Sequence, residues 1–226
     1  MSIFFVYDAE NAEYLLQPGS YAVMAVLLLL LLLSIRGRRG HKSQKKHKMK
    51  TQEMVFCAAA IGLATVTSFL KFVSLPFGGS VTLFSMLFIS LIGYFYGAKT
   101  GLTAGLAYGI LQLLLEPHFY APLQVILDYP LAFGALGLSG FFNNQKKGLA
   151  TGYVAGVAGR YLCHVISGYV FFAEYAPPEM NPLIYTLGYN LTYLLPEMVA
   201  TVIVISIPAV RQAAARVRRQ ALGNIF

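Results

Sequence analysis

The chain has 226 residues, of which 57% are hydrophobic and only 12% are charged. This number of charges is too small to cover the surface of a soluble globular protein of this size. The composition therefore excludes a soluble domain and indicates an integral membrane protein. The net charge of +8 would suggest nucleic-acid binding in a soluble protein, but here most Lys and Arg lie between apolar runs, which is typical of membrane topology. Cys57 and Cys163 both lie inside apolar runs and suit neither a disulfide framework nor a metal site.

The first part of the chain predicts one transmembrane helix followed by a cytoplasmic linker. Residues 1–19 are polar and aromatic, and the apolar run from Ser20 to Ile35 contains seven consecutive leucines. An acidic flank before this run and a basic flank after it are the reverse of a signal peptide, so we interpret the run as a retained span. The strongly basic segment that follows predicts a loop that sets orientation, with contact to anionic lipid as a lesser role.

Six further apolar runs are separated by segments rich in turn-forming or charged residues. They cover approximately residues 53–72, 81–96, 99–115, 121–142, 148–172 and 183–209. With the basic linker inside, alternating crossings place fifteen of the seventeen Lys and Arg residues on that side, the exceptions being Lys71 and Arg160. The sequence therefore predicts an all-α membrane protein with seven spans, an outside N-terminus and an inside C-terminus.

This pattern also predicts how the chain is divided. We expect an N-terminal segment with its own helix at residues 1–35, a basic cytoplasmic linker at 36–51, a six-helix membrane domain at 52–210 and a basic cytoplasmic tail at 211–226.

Two small-residue patterns predict close helix packing. Gly97, Gly101, Gly105 and Gly109 form three overlapping GxxxG repeats, and Ala60 with Ala64 forms an AxxxA pair on the run that begins near residue 53. Small residues at this spacing let membrane helices approach closely. Either surface could pack internally or dock another subunit, and the residues alone favour internal packing.

Polar residues inside the apolar runs indicate a functional site. Arg160, His164, Gly168 and Phe172 recur every fourth residue, which places them along one face of a helix. A charge at mid-membrane is costly, so such residues usually face the interior of a bundle. Arg160 and Glu197 lie at similar depth, and we expect them to make contact, directly or through one intermediary, in a structural or functional pair.

Further polar and aromatic groups converge near the outer ends of the helices. Asp128 and Tyr129 begin an Asp-Tyr-Pro motif, in which Pro130 is expected to kink the helix. Together with His164, Tyr185 and Asn190 they predict an outward-facing pocket with one anion, hydrogen-bonding groups and aromatic faces. Such a pocket suits a small aromatic cation.

The chain carries no motif for energy conversion or catalysis of its own. It has no GxxxxGK[ST] phosphate loop, no HExxH, no GxSxG and no CxxC. We therefore expect a non-enzymatic protein without a cofactor. Two alternatives stay open, namely an intramembrane enzyme that uses Asp128, His164 and Glu197, and a membrane scaffold without a ligand.

Residues from about 52 to 210 resemble the thiamine-specific S component of energy-coupling factor transporters, the ThiT (YuaJ) family. The resemblance rests on the segments Pro76-Phe77-Gly78-Gly79-Ser80-Val81-Thr82, Leu127-Asp128-Tyr129-Pro130-Leu131-Ala132-Phe133, Gly159-Arg160-Tyr161-Leu162-Cys163-His164 with Ser167-Gly168, Phe171-Phe172-Ala173-Glu174-Tyr175-Ala176-Pro177, and Tyr185 through Tyr189-Asn190 to Leu195-Pro196-Glu197. The resemblance implies a six-helix substrate-binding subunit in the bacterial cytoplasmic membrane, with the vitamin held near the outer face.

The resemblance also implies roles for single residues. Thiamine would be contacted by Asp128, His164, Tyr185 and Asn190, with Tyr129, Gly168 and Arg160 at further pocket positions. The family's stacking tryptophans are absent, since the chain has no Trp; Phe172 stands at one such position, and Phe77 is a substitute for another.

The resemblance finally implies partners. They are a transmembrane coupling subunit that docks on the helix carrying Ala60 and Ala64, and two cytosolic ATPase subunits that drive uptake. An S component for another heteroaromatic vitamin or a thiamine precursor is the alternative within this class.

Overall fold

A computed structural model describes residues 5–8, 13–16, 50–75, 79–118 and 120–223. The elements in chain order are β1 (Phe5–Asp8), β2 (Glu13–Leu16), α1 (Thr51–Ser68), β3 (Lys71–Ser74), β4 (Ser80–Thr82), α2 (Ser85–Tyr96), α3 (Ala98–Leu115), α4 (Pro122–Phe142), α5 (Gly148–Phe171), α6 (Pro182–Ser206) and α7 (Pro208–Ala221). A 3₁₀ turn at Ala173–Tyr175 follows α5.

The chain forms two compact units, residues 1–48 and residues 49–226. In the first unit, β1 and β2 pair antiparallel, with Phe5 opposite Leu16 and Asp8 opposite Glu13. The predicted helix from Ser20 to Ile35 and all but the last two residues of the predicted linker lie outside the described residues.

The second unit contains a helix for each of the six predicted apolar runs. Among the described residues, three helices are long and apolar enough to cross a membrane, namely α4, α5 and α6. The α2 helix is apolar but shorter. The prediction of a helical membrane protein is therefore confirmed.

The end of the first predicted run is wrong. The helix stops at Ser68 rather than near residue 72, and β3 then pairs antiparallel with β4 in a short hairpin. The hydroxyls of Thr67 and Ser68 donate to the carbonyls of Leu63 and Thr65 at 2.8 Å each. Such local bonds compete with the helical backbone pattern, and the aromatic and β-branched side chains of Phe72 and Val73 suit a strand.

Of the four predicted stripe glycines, Gly101, Gly105 and Gly109 lie in α3 and pack internally, as expected, whereas Gly97 precedes α3 and a Cβ added there would meet nothing within 4 Å. A Cβ added at Gly101 would lie 2.9 Å from the Cα of Gly137, and one added at Gly105 would lie 2.9 Å from the Cα of Gly134. Gly109 meets the backbone of Tyr129 in the same way. The α3 and α4 backbones are therefore in direct contact, and the helix that carries the Asp-Tyr-Pro motif has a fixed position.

The α4 helix changes its winding at this motif. Residues Leu127–Leu131 form a π-helical turn between α-helical turns, and Leu136–Phe142 ends the helix as 3₁₀. Pro130 lies inside the π turn and cannot donate a backbone hydrogen bond, so the wider turn absorbs the break that the sequence predicted as a kink. Single π turns of this kind are frequent at functional sites.

The two alanines of α1 do not form an exposed face, so the expectation of partner docking at Ala60 and Ala64 needs correction. Ala64 is fully buried, and its carbonyl accepts a hydrogen bond of 3.1 Å from the Tyr108 hydroxyl of α3. Ala60 packs against the core. The exposed side of α1 carries apolar and small residues at helical spacing instead, at Val55, Ala59, Gly62 and Val66.

Candidate ligand-binding site

Two cavities meet at one pair of side chains. The polar cavity, of about 140 Å³, is lined by Arg160, Glu197 and neighbouring polar groups. The aromatic cavity, of about 70 Å³, is lined mainly by rings from the end of α5 and the start of α6. Asp128 and His164 line both cavities, so they form the wall between them.

Asp128 is held by three side-chain donors. Its Oδ1 lies 2.9 Å from His164 Nδ1, and its Oδ2 accepts from Gln124 Nε2 at 2.7 Å and from Ser167 Oγ at 2.8 Å. A carboxylate has about four acceptor positions, so one position stays available. The network fixes the direction of the carboxylate before any ligand arrives.

Arg160 determines the tautomer of His164. The Arg160 Nε donates to His164 Nε2 at 3.1 Å, so Nε2 is the acceptor of the ring and the proton lies on Nδ1. That proton points to Asp128. The Arg160 guanidinium in turn lies 4.0 Å from the centre of the Phe133 ring, a cation–π contact.

We expected Arg160 and Glu197 to make contact directly or through one intermediary, and among the described residues they form no direct ion pair. Both line the polar cavity, but Glu197 accepts its hydrogen bonds elsewhere: from Thr82 Oγ1 at 2.7 Å, from Thr82 N at 3.1 Å and from Met86 N at 3.4 Å. The first turn of a helix has free N–H groups and attracts anions. Glu197 therefore caps the start of α2, which depth counting along the sequence could not anticipate.

The aromatic cavity has rings on two sides. Phe172, the residue after α5, lies 5.2 Å from the Tyr120 ring and 6.0 Å from the Tyr175 ring between centroids. On α6, the rings of Tyr185 and Tyr189 stack at 6.1 Å. Burial, together with the carboxylate of Glu174, raises the pKa of Tyr120, so its hydroxyl stays protonated at neutral pH.

Asn190 and Gly168 shape the floor of the aromatic cavity. Asn190 Nδ2 donates to the Thr186 carbonyl at 2.9 Å, and Asn190 Oδ1 accepts from the Tyr193 hydroxyl at 2.6 Å. A Cβ added at Gly168 would lie 2.5 Å from Thr186 Cγ2. The glycine therefore allows α5 and α6 to approach closely where the cavity lies.

Most of the predicted site residues are brought together. Asp128, His164, Gly168, Phe172, Tyr185 and Asn190 line the aromatic cavity, and Tyr129 and Arg160 line the polar cavity. Phe77 lies outside the described residues. Tyr129 has a further role, since its hydroxyl donates to the Glu116 carbonyl at 2.7 Å and accepts from His118 N at 2.8 Å, which fastens the loop between α3 and α4.

Two residues of the Asp128 network were missed. Gln124 lies four residues before Asp128, and Ser167 lies three residues after His164. Both spacings place a side chain one helical turn away on the same face, and this signal could have identified them. Within residues 50–75, 79–118 and 120–223, no group of three His, Cys, Asp or Glu side chains is arranged to hold a metal ion.

The model of one protein family matches most of the second unit. The family is described as Thiamine transporter protein (Thia_YuaJ), and its model matches residues 54–216. The chain belongs to this family. It is thus a member of a family of multi-pass membrane transporters rather than of enzymes, which confirms the resemblance given by the motifs.

Individual relatives agree with the family. The chain is 38% identical to Thiamine transporter ThiT of Bacillus subtilis (strain 168) over 165 residues, which cover 67% of this chain and 84% of that protein. It is 36% identical to Thiamine transporter ThiT of Lacticaseibacillus paracasei over 121 residues, which cover 46% of this chain and 60% of that protein.

A solved structure has a similar fold over most of the chain. ThiT from Listeria monocytogenes superimposes with a TM-score of 0.59 at 26% sequence identity, covering 69% of this chain and 91% of that protein.

Proposed function

We propose that this chain is the substrate-binding membrane subunit of an energy-coupling factor transporter, and that it binds thiamine between α4, α5 and α6. The observation that carries the proposal is the Asp128 carboxylate, which lies at the wall of a cavity lined by rings and is fixed by three donors. Thiamine joins a cationic ring to a neutral pyrimidine, so it needs an anion, ring faces and hydrogen-bonding groups close together.

The electrostatics favour one placement of the cationic ring. Asp128 attracts it, while Arg160 on the polar-cavity side of His164 repels it. The ring is therefore placed in the aromatic cavity, against Phe172, with Tyr185 and Asn190 in reach of the ligand's polar atoms. Phe77 would add a second ring from the loop between β3 and β4.

The proposal includes the topology and the division of the chain. Six helices of residues 52–210 follow an extra N-terminal helix and a basic cytoplasmic linker, with the N-terminus outside and the tail from residue 211 inside. Both basic residues that depart from the positive-inside pattern have partners: Lys71 Nζ lies 2.6 Å from Glu116 Oε1, and Arg160 lies over Phe133. The Lys71 charge is thus paired with a carboxylate, and the Arg160 charge lies against an aromatic face.

The proposal also includes delivery of the vitamin. The coupling subunit would dock on the exposed side of α1, at Val55, Ala59, Gly62 and Val66, because Ala64 is buried. Two cytosolic ATPase subunits would supply the energy, since the chain carries no nucleotide-binding loop. Copurification of the chain with these subunits, and its loss when Gly62 and Ala59 are replaced by Leu, tests this part.

A thermal-shift titration of the purified full chain with thiamine tests ligand binding. We expect stabilisation by micromolar thiamine, because a ligand that binds the folded state alone raises the melting temperature. No stabilisation of the wild-type chain would contradict the proposal. A competition panel of pyrimidine and thiazole compounds separates thiamine from another heteroaromatic vitamin or precursor.

A further inference from the structure

The α7 helix begins where the last candidate span ends. Only Ile207 separates it from α6, and the extended backbone of this residue, with φ −61° and ψ 128°, ends the straight course of α6. Pro208 then opens α7 at its first position, which suits proline. Residues 207–226 contain four Arg and no Asp or Glu.

One arginine of α7 is used to attach the helix to the bundle. The Arg218 guanidinium lies 4.6 Å from the Tyr94 ring centre, and its Nη1 lies 3.4 Å from the Tyr94 hydroxyl. The Tyr96 hydroxyl donates to the Ala221 carbonyl at 3.2 Å. The last turn of α7 is therefore fastened to α2 through Arg218 and a backbone carbonyl.

The other three arginines have no such role. The side chains of Arg211, Arg216 and Arg219 are exposed and make no hydrogen bond or ion pair with any residue that the structure describes. At 3.6 residues per turn they fall within an arc of about 140°. The opposite side is apolar and includes Val217, which is 40% exposed.

We propose that α7 binds anionic phospholipid at the membrane surface, with Arg211, Arg216 and Arg219 on the phosphate headgroups and Val217 toward the acyl chains. Basic helices with an apolar side lie in this way in the membrane interface, and each basic residue adds to the attraction to an anionic leaflet. Lipid is favoured as the occupant because α7 continues directly from a candidate span, so its arginines lie where headgroups are present.

Trypsin cleavage of the full chain in lipid nanodiscs tests the proposal, because trypsin cuts after these arginines and both membrane faces are open to it. The rates after Arg211, Arg216 and Arg219 are divided by the rate after Lys146, a basic loop residue in the same sample. We expect this ratio to fall at least about fivefold when phosphatidylglycerol is added to phosphatidylcholine, which corresponds to about 1 kcal/mol. High salt should restore it.

A matched pair of variants provides an independent readout. Phosphatidylglycerol should raise the melting temperature of the detergent-purified wild type and of the Lys146→Gln/Lys147→Gln variant, but not that of the Arg211→Gln/Arg216→Gln/Arg219→Gln variant. If the triple variant does not fold, the cleavage ratio of the wild-type chain still tests whether these arginines bind anionic lipid.

Three results would overturn the proposal. The cleavage ratio could be the same in both lipids. Inorganic phosphate could stabilise the wild type as well as the lipid does, which would indicate a site for free anions. Protection of the arginines could require the coupling or ATPase subunits, which would indicate a protein partner.

Discussion

The polar and aromatic cavities differ in how their side chains are engaged. In the polar cavity the polar groups bond to one another: Glu197 caps α2, Arg160 bonds to His164, and Gln112 Nε2 donates to the Tyr108 hydroxyl at 2.6 Å. The aromatic cavity offers ring faces instead, with Phe172 at its edge. The side chains of the polar cavity are thus engaged with one another, whereas the aromatic cavity leaves ring faces available for the proposed ligand, and Asp128 lines both cavities.

Replacing Asp128 by Asn should have the largest effect on ligand binding. The variant loses the charge that attracts a cationic ring, and the amide nitrogen of Asn must face either the His164 donor or both the Gln124 and Ser167 donors. We expect thiamine affinity to fall roughly 100-fold, or about 2.7 kcal/mol, measured by calorimetric titration. An unchanged affinity would remove Asp128 from the site.

Replacing Phe172 by Ala should have the next largest effect. The variant loses one ring of the aromatic cavity, and a desolvated cation–π contact contributes up to about 2 kcal/mol, so affinity should fall about tenfold. Phe172→Trp should raise it about threefold, because indole presents a stronger face. Phe141→Ala is the matched control, since Phe141 is 57% exposed near the end of α4. If both alanine variants behave alike, stacking at Phe172 is excluded.

Replacing Gln124 by Leu should weaken binding about fivefold through Asp128 rather than through the ligand. Gln124 Nε2 donates to Asp128, and its Oε1 accepts from Tyr120 N at 3.1 Å, so the variant frees the carboxylate and loosens the loop before α4. Gln112→Leu removes another buried glutamine that has no bond to Asp128. Equal losses of thiamine affinity in the two variants would mean that the effect is general to buried glutamines.

Replacing Glu197 by Gln should change thiamine affinity least, by less than about twofold. Its carboxylate accepts from Thr82 and Met86, so the variant should instead lower the free energy of unfolding by about 1–2 kcal/mol. Thermal melting without ligand and calorimetric titration with thiamine measure the two effects separately. A loss of affinity as large as that of Asp128→Asn would make the polar cavity part of the ligand site and end the distinction between the cavities.

Much of the site was predictable because helical spacing is a local property. The interval of four residues places Arg160, His164 and Gly168 on one face of α5 whatever surrounds the helix, and the structure brings this face to Asp128. The GxxxG stripe of α3 was predictable for the same reason, since a residue without a side chain allows close approach wherever the partner helix lies.

Partner choice was less predictable, because it depends on distances between helices. The similar depth of Arg160 and Glu197 in their spans suggested that they make contact. Depth does not predict how each helix is rotated about its axis, and it does not reveal nearer partners such as the start of α2. Burial of Ala64 likewise depends on which side of α1 faces α3. An AxxxA spacing is equally suited to packing against a helix of the same chain and to packing against another subunit.

By itself, the sequence determined the membrane class, six of the seven helices described in the second unit and the face of α5 that carries the candidate site, because hydrophobicity and helical period are local properties of the chain. The tertiary structure decided that Asp128 is held by Gln124 and Ser167, that Arg160 orients His164, and that Glu197 caps a helix. These are hydrogen bonds of 2.7–3.4 Å, and contacts of this length are set only when the helices have packed.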